Sequence, residues 1–454
     1  MSKRKLFGTD GIRGRANIYP MTCEIAMALG RAVTHHFRST GNRQRSPLII
    51  IGKDTRLSCY MLEQAFSAGV CSQGGRVIFT GPLPTPGVAF ATASMRANAG
   101  VMISASHNPY SDNGIKIFDS KGNKLPDQVE LELEDMVFNP DKIPNLPSNE
   151  LGRASRLDEV LGRYIVHVKQ CFDQNYALEG MRLVVDAAHG AGYKVGPMIF
   201  EELGAEVFPL GVTPNGVNIN LNCGSLYPQQ AQEDTRRFKA DLGICLDGDG
   251  DRVTLVDHTG EVVDGDCLIG ILAKLYLDKG ILKAGDEIVG TVMSNLGLEN
   301  FLKEIGLKFY RAKVGDRYII ERMHTSGSIL GGEPSGHIIF ARDATTGDGA
   351  LAALKAIECM KFYKTDLRSI IAQVKLYPQV LRNVEVSKKP VLEENAVIQK
   401  AIKASELSMN GKGRILLRYS GTESLLRVMV EGEDMKLISK VAEDLSSVVL
   451  KEIG

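Results

Sequence analysis

Three times along the chain, a short unbroken apolar run gives way to apolar positions at helical spacing, then to glycine, then to a second apolar run. The first unit is Pro47-Leu-Ile-Ile-Ile-Gly-Lys-Asp54, a helical pattern over 61–71, Gly74-Gly75 and the run 76–79. The second is Met181-Arg-Leu-Val-Val-Asp186, the pattern 195–203 ended by Gly204, and Glu206-Val-Phe-Pro-Leu210. The third is Glu287-Ile-Val-Gly-Thr-Val292, the pattern 298–305, Gly306 and Lys308-Phe-Tyr310. Continuous apolar runs of this length suit strands buried on both faces, and glycine suits the residue just past a helix. Each unit therefore predicts strand, helix, strand with the strands parallel.

Each unit is followed by strand, polar loop, strand: 99–104 with 113–118, 242–246 with 253–256, and 328–330 with 337–340. The three loops are equivalent in topology but differ in chemistry, which predicts a cleft where three similar domains converge. From about residue 378 the pattern changes to a strand at 383–386, a helix at 393–404, a strand pair at 414–417 and 425–430, and a last helix over 434–453. That helix has an apolar stripe of Met435, Ile438, Val441, Leu445 and Val448, with Asp434 placed to cap it. The proline-rich stretch 139–147 and Leu376-Tyr-Pro378 mark boundaries. The expected fold is α/β: three tandem similar α/β domains with mixed sheets, then a C-terminal α+β domain, around a central cleft. Domain I is expected over 1–150, domain II over 151–257, domain III over 258–376 and domain IV over 377–454.

At 454 residues the chain exceeds one core and should form roughly three or four domains. Lys plus Arg and Asp plus Glu each total 54, so no global field draws the chain to nucleic acid or membrane, and an anionic ligand needs local basic groups. The opening Met1-Ser-Lys-Arg-Lys-Leu-Phe-Gly8 has no apolar stretch behind it, so no secretory signal is expected. The apolar run 80–95 is broken by prolines, so no bilayer span is expected either. The cysteines are scattered with no Cys-x-x-Cys, which fits reduced thiols and a cytoplasmic location.

Four segments carry candidate chemistry. Leu246-Asp-Gly-Asp-Gly-Asp-Arg252 sets carboxylates at alternate positions, so one curled loop can turn Asp247, Asp249 and Asp251 toward a hard cation such as Mg²⁺. A calcium loop is excluded by spacing: counting from Asp247, the sixth residue is Arg252 and the twelfth His258, where such a loop needs Gly and Glu. Ile103-Ser-Ala-Ser-His-Asn-Pro109 offers two hydroxyls, Ser104 and Ser106, at a strand end. A Ser-His-Asp hydrolase is disfavoured because there is no Gly-x-Ser-x-Gly elbow. A phosphorylated serine beside the aspartates fits better, since its oxygens are natural Mg²⁺ ligands. The residue types leave open which serine it is. Gly332-Glu-Pro-Ser-Gly-His337 carries polar groups suited to sugar hydroxyls. Arg418-Tyr-Ser-Gly-Thr-Glu-Ser-Leu-Leu-Arg427 places Ser420, Gly421 and Thr422 in a turn between arginines, a phosphate cradle far from Ser106 in sequence.

With Phe7-Gly-Thr-Asp-Gly-Ile-Arg-Gly14 and Lys313-Val-Gly-Asp-Arg-Tyr318, these loops in this order resemble the α-D-phosphohexomutase superfamily over the whole chain, and most of all its bacterial glucosamine branch. The resemblance implies four domains around a cleft and Ser106 as the phosphoserine. It implies one Mg²⁺ per chain, bound by Ser106, Asp247, Asp249 and Asp251. It places Arg13, His107, Lys116 and Arg252 near the transferring phosphate, with Lys116 and His337 as proton-transfer candidates. Glu333 and Ser335 correspond to the readers of sugar hydroxyls, and Arg418, Ser420, Gly421, Thr422 and Arg427 to the phosphate site. Pro334 and Ser424 depart from the residues usual in that branch; the first sits between two sugar readers and bears on hexose preference.

The activity so implied is interconversion of glucosamine 6-phosphate and glucosamine 1-phosphate through a 1,6-bisphosphate intermediate, feeding UDP-N-acetylglucosamine and cell-wall precursor synthesis. The ligands implied are the hexosamine phosphate and its 1,6-bisphosphate, with a homodimer left open. A phosphoglucomutase or phosphomannomutase is the nearest alternative; a phosphatase or a non-catalytic sugar-phosphate sensor is further off.

Overall fold

The computed structural model describes residues 4–8, 10–40, 46–419 and 424–454. The predicted repeat is present as one four-strand plan used three times. Strand Leu48–Lys53 lies between Arg76–Pro82 and Ala99–Ile103, parallel to both, and Asp112–Phe118 closes antiparallel on Ala99–Ile103. Arg182–Asp186 is flanked in the same way by Glu206–Leu210 and Leu242–Leu246, with Val253–Asp257 antiparallel beyond. Glu287–Thr291 lies between Lys308–Ala312 and Leu330–Gly332, with Ile338–Phe340 antiparallel. The sheets are mixed, as expected. Ile12–Arg15 and Arg153–Arg156 extend the first sheet to six strands, and Val262–Val263 extends the second to five.

Each unit has a second crossover helix that the apolar pattern does not announce. Helix Thr85–Ser94 lies inside the proline-broken run: Pro84 caps it and Pro86 stands in its first turn, where the missing N–H breaks no bond. Helix Gln229–Arg237 buries only Ala231, Asp234 and Thr235, so it shows no apolar stripe. Helix Asp316–Ser326 begins within the Lys313–Tyr318 motif.

One apolar core runs through all three sheets, joining Ile50 and Phe118, Val185 and Leu246, and Ile288 and Phe340. Helix Gly349–Tyr363, buried from Gly349 through Cys359, is part of this shared core. The three polar loops are therefore fixed on a single packed body.

The tail has its own core, an antiparallel sheet of Gln379–Glu385, Leu425–Gly432 and Gly413–Tyr419 with helices Ala396–Ser408 and Met435–Ile453. Asp434 caps the last helix as expected, accepting from the Lys436 and Leu437 N–H groups. The stripe of that helix is set slightly differently: Ile438, Val441, Ala442, Leu445 and Val449 are buried, while Met435 is 52% exposed. Asn295 holds both the N–H and the C=O of Tyr377 at the junction, at 2.9 and 3.0 Å. Arg414 of the tail donates to Val292 O and Ser294 O at 2.8 and 3.0 Å. Among the described residues no helix is long and apolar enough to cross a membrane.

Candidate active site: a carboxylate-lined cleft

The loops after the third strand of each sheet meet. Ser106 is 1% exposed, and its hydroxyl donates to Asp247 Oδ2 at 2.6 Å across the boundary between the first two sheets. Its backbone is left-handed (φ 53°), a conformation costing about 1–3 kcal/mol for a residue with a side chain. Ser104 is differently engaged: its hydroxyl donates to Asp54 at 2.6 Å and accepts the Ser106 N–H at 2.9 Å. The two serines that residue type could not separate thus face different partners.

Asp247, Asp249 and Asp251 are buried, with one oxygen of each within 4.8 Å of the others. Burial, then the charges of Asp251 and Asp249, push the Asp247 carboxyl well above its ordinary range. Burial acts the same way on Asp251, but Lys116 and His337 outweigh it and hold that carboxyl well below. Thr85 supplies a 2.7 Å hydroxyl bond to Asp249 Oδ2, while Asp249 Oδ1 is buried with no hydrogen-bond partner. Asp251 Oδ1 is approached by His337 Nδ1 at 3.6 Å and Arg252 Nε at 3.7 Å, both beyond hydrogen-bond reach. Dry carboxylate oxygens left in this way are costly, and a hard divalent cation accepting several oxygens satisfies them. The donor set fits Mg²⁺.

Beside the triad lies a cavity of about 390 Å³ whose walls include Arg13, Arg252, Glu333 and His337. Lys116 reaches into the triad, 2.8 Å from Asp249, 3.2 Å from Asp251 and 3.4 Å from Asp10. Burial alone would lower its pKa; Asp10, Asp249 and Asp251 reverse this and raise it well above the ordinary lysine value. Lys116 is therefore a fixed cation. His107 is the opposite case: burial, with help from Arg252 and Arg13, lowers it to about 4, so its ring is neutral, 3.4 Å from the Ser106 hydroxyl. His337 is buried, which lowers its pKa, but Asp251 and Asp316 raise it above 6.5. Its Nε2 has two neighbours with opposite demands, the Gly347 N–H at 3.2 Å, which needs an unprotonated nitrogen, and the Asp316 carboxylate at 3.6 Å, which favours a protonated one.

Residues the sequence did not mark complete the wall. Asp10 contacts Arg13, Lys116 and Lys124, and Lys124 is 2.6 Å from Asp316. Asp10 and Asp316 lie within motifs already singled out, and Lys124 carries no signal of its own. Glu333 accepts the Gly315 N–H at 3.1 Å, and Ser335, at the exposed rim, is 3.4 Å from it.

Arg418 and Arg427 stand directly opposite each other on adjacent tail strands. Burial, then the Arg427 charge, lowers the pKa of Arg418, against a pull from Glu333. Two facing guanidiniums raise the local positive potential and suit an anion. Ser420, Gly421 and Thr422 lie outside the described residues.

The chain matches the phosphoglucomutase/phosphomannomutase family in four parts: alpha/beta/alpha domain I over residues 4–143, domain II over 162–260, domain III over 264–377 and the C-terminal domain over 381–448. A phosphoglucosamine mutase of Nitratidesulfovibrio vulgaris is 49% identical over 451 residues, covering 99% of both chains. A solved phosphoglucomutase/phosphomannomutase family protein from Burkholderia thailandensis has the same fold, with TM-score 0.81 at 21% identity over 97% of this chain and 96% of its own. So does the Aspergillus fumigatus N-acetylphosphoglucosamine mutase, solved with GlcNAc-6P and magnesium, with TM-score 0.70 at 17% identity over 99% of this chain and 96% of its own.

Proposed function

The chain belongs to the phosphoglucomutase/phosphomannomutase family, and on that basis we propose that it interconverts glucosamine 6-phosphate and glucosamine 1-phosphate through a phosphorylated Ser106. The observation that carries this is the Ser106 hydroxyl on Asp247, inside a dry triad of carboxylates. The substrate rests on the relative 49% identical over the full length. Four domains each supply one loop to the cleft; because Arg153–Arg156 pairs into the first sheet and Val262–Val263 into the second, the first two boundaries fall a few residues beyond 150 and 257, and the small phosphorylated ligands suit a cytoplasmic enzyme.

Asp247, Asp249, Asp251 and the phosphoserine oxygens would hold one Mg²⁺, which when bound neutralises charge on the transferring phosphoryl group. The sugar O1 attacks phosphorus as the bond to Ser106 Oγ breaks; the O1 proton passes to a base and the departing Oγ takes up a proton, giving glucosamine 1,6-bisphosphate and a free serine hydroxyl. After the intermediate turns over in the cleft, Ser106 Oγ gives up its proton and takes the 6-phosphoryl group as the bond to O6 breaks, and O6 takes up a proton. Lys116, held charged beside Asp249 and Asp251, suits stabilising charge on the transferring phosphoryl group, while His337 suits the proton transfers, taking the proton when neutral and returning it when charged. Arg13, Arg252 and neutral His107 line the phosphoryl path, and Glu333 and Ser335 orient the ring. Arg418 and Arg427, with Ser420, Gly421 and Thr422, hold the idle phosphate, which requires the tail to open and close for reorientation.

Turnover compared across glucosamine, glucose and mannose 6-phosphates tests the substrate. We expect kcat/KM for the amino sugar to exceed the others by about tenfold or more; equal or faster turnover of a neutral sugar would make the enzyme a glucose or mannose mutase instead. The pH profile tests the base. Because His337 must be neutral to act and Asp251 and Asp316 favour its charged form, kcat/KM should fall as pH drops and the ring takes up its proton, and His337→Gln should remove that limb. An unchanged limb in the variant would reassign the proton acceptor.

A further inference from the structure

The loop carrying Ser106 is gripped by two side chains from different domains to which the mechanism above gives no role. Arg56, 0% exposed, sits just after strand Leu48–Lys53. Its Nη2 donates to Ser106 O at 2.8 Å and Asn108 O at 2.9 Å, its Nη1 to Pro109 O at 2.5 Å, and its Nε to Asp54 Oδ2 at 2.8 Å. Asn220, in the second domain, donates from Nδ2 to the same two carbonyls, Ser106 O at 2.9 Å and Asn108 O at 3.0 Å. Gly248 of the triad loop packs against this point: a Cβ there would lie 2.6 Å from Ser106 O and 2.7 Å from Asn220 Nδ2.

These contacts answer a specific need. The left-handed Ser106 peptide belongs to neither helix nor strand, so its buried carbonyl has no ladder partner and must be satisfied by side chains. A planar guanidinium has the fixed fork to reach several carbonyls at once, which a lysine ammonium lacks. The same Asp54 carboxylate that receives Arg56 also receives the Ser104 hydroxyl, whose oxygen accepts the Ser106 N–H. Both ends of the residue are thereby fixed, and with them the direction of Oγ.

We infer that Arg56 and Asn220 are positioning residues for phosphoryl transfer: together they hold the Ser106 peptide so that Oγ faces Asp247, and Asn220 ties that loop to the domain carrying the metal ligands. The inference rests on Ser106 being the phosphoryl carrier. A displacement of about 1 Å at a reacting atom costs on the order of 100-fold in rate, without weakening groups that bind the rest of the substrate. The effect should therefore fall on kcat rather than KM.

The test uses the full-length protein with Mg²⁺, as wild type, Arg56→Lys and Asn220→Ala. Steady-state kcat and KM are measured, together with the single-turnover rate at which glucose 1,6-bisphosphate phosphorylates Ser106, followed by intact mass on the folded fraction. Arg56→Lys should slow both kcat and labelling about 100-fold and Asn220→Ala about tenfold, with KM changed less than about threefold. A role in stability alone would lower the folded fraction and leave the labelling rate per folded molecule unchanged. Labelling within about twofold of wild type in the folded variants, or a raised KM at constant kcat, overturns the inference. Should Arg56→Lys not fold, Asn220→Ala decides alone. Wild type that takes no phosphate on Ser106 contradicts the parent assignment instead, so the two failures are distinct.

Discussion

Ser106→Ala is expected to fold, to bind hexosamine phosphate, and to lose turnover by a factor on the order of 10⁴ or more. The substitution removes the only atom that links protein to phosphorus in the proposed cycle. Little else depends on that hydroxyl: it meets Asp247 at 2.6 Å and, more weakly, His107 at 3.4 Å, and Arg56 and Asn220 grip the peptide carbonyl, which alanine keeps. Alanine at φ 53° carries the same class of backbone strain as serine, so the fold loses little. The variant separates binding from chemistry: retained affinity with absent turnover supports a covalent carrier, and retained turnover removes Ser106 from the mechanism.

Asp249→Asn carries the second-largest effect, with turnover reduced about 10³-fold and the response of stability to Mg²⁺ abolished. Asp249 Oδ1 is buried without a hydrogen-bond partner, while Oδ2 already accepts from Thr85 and Lys116. One oxygen is thus kept for a ligand outside the protein. In the absence of metal Lys116 compensates the repulsion among the three carboxylates only in part, as the raised Asp247 shows. A group whose pKa is raised on folding binds more protons folded than unfolded, so metal-free stability falls as pH rises above the ordinary carboxylate range. Mg²⁺ should raise the melting temperature of wild type in that range and leave Asp249→Asn unmoved. A variant that still melts higher with Mg²⁺ and still turns over would place the ion elsewhere.

What the sequence showed and what it hid follow from which patterns are local. Ile49, Ile50 and Ile51 lie on a strand between two parallel neighbours and are buried on both faces of the sheet, so the strand appears as an unbroken run. Helix Gly349–Tyr363 is buried on all sides for most of its length and has no period to read. Helix Gln229–Arg237 fails for the opposite reason, being polar nearly throughout. In the site, the aspartates declare themselves because alternation within one loop aims them together. Asp10, Lys124 and Asp316 lie far apart along the chain, and their contacts exist only after the first domain folds and packs on the third. The difference between Ser104 and Ser106 is likewise tertiary, since it depends on which hydroxyl meets Asp54 and which meets Asp247.

The most direct measurement follows the phosphoryl group itself. The protein is incubated with Mg²⁺ and glucose 1,6-bisphosphate, digested and mapped by mass spectrometry, then chased with glucosamine 6-phosphate. One phosphate on Ser106, lost on the chase as glucosamine 1-phosphate appears, is the predicted result. Isomer formed while Ser106 stays unmodified, or phosphate carried on another residue, would contradict it.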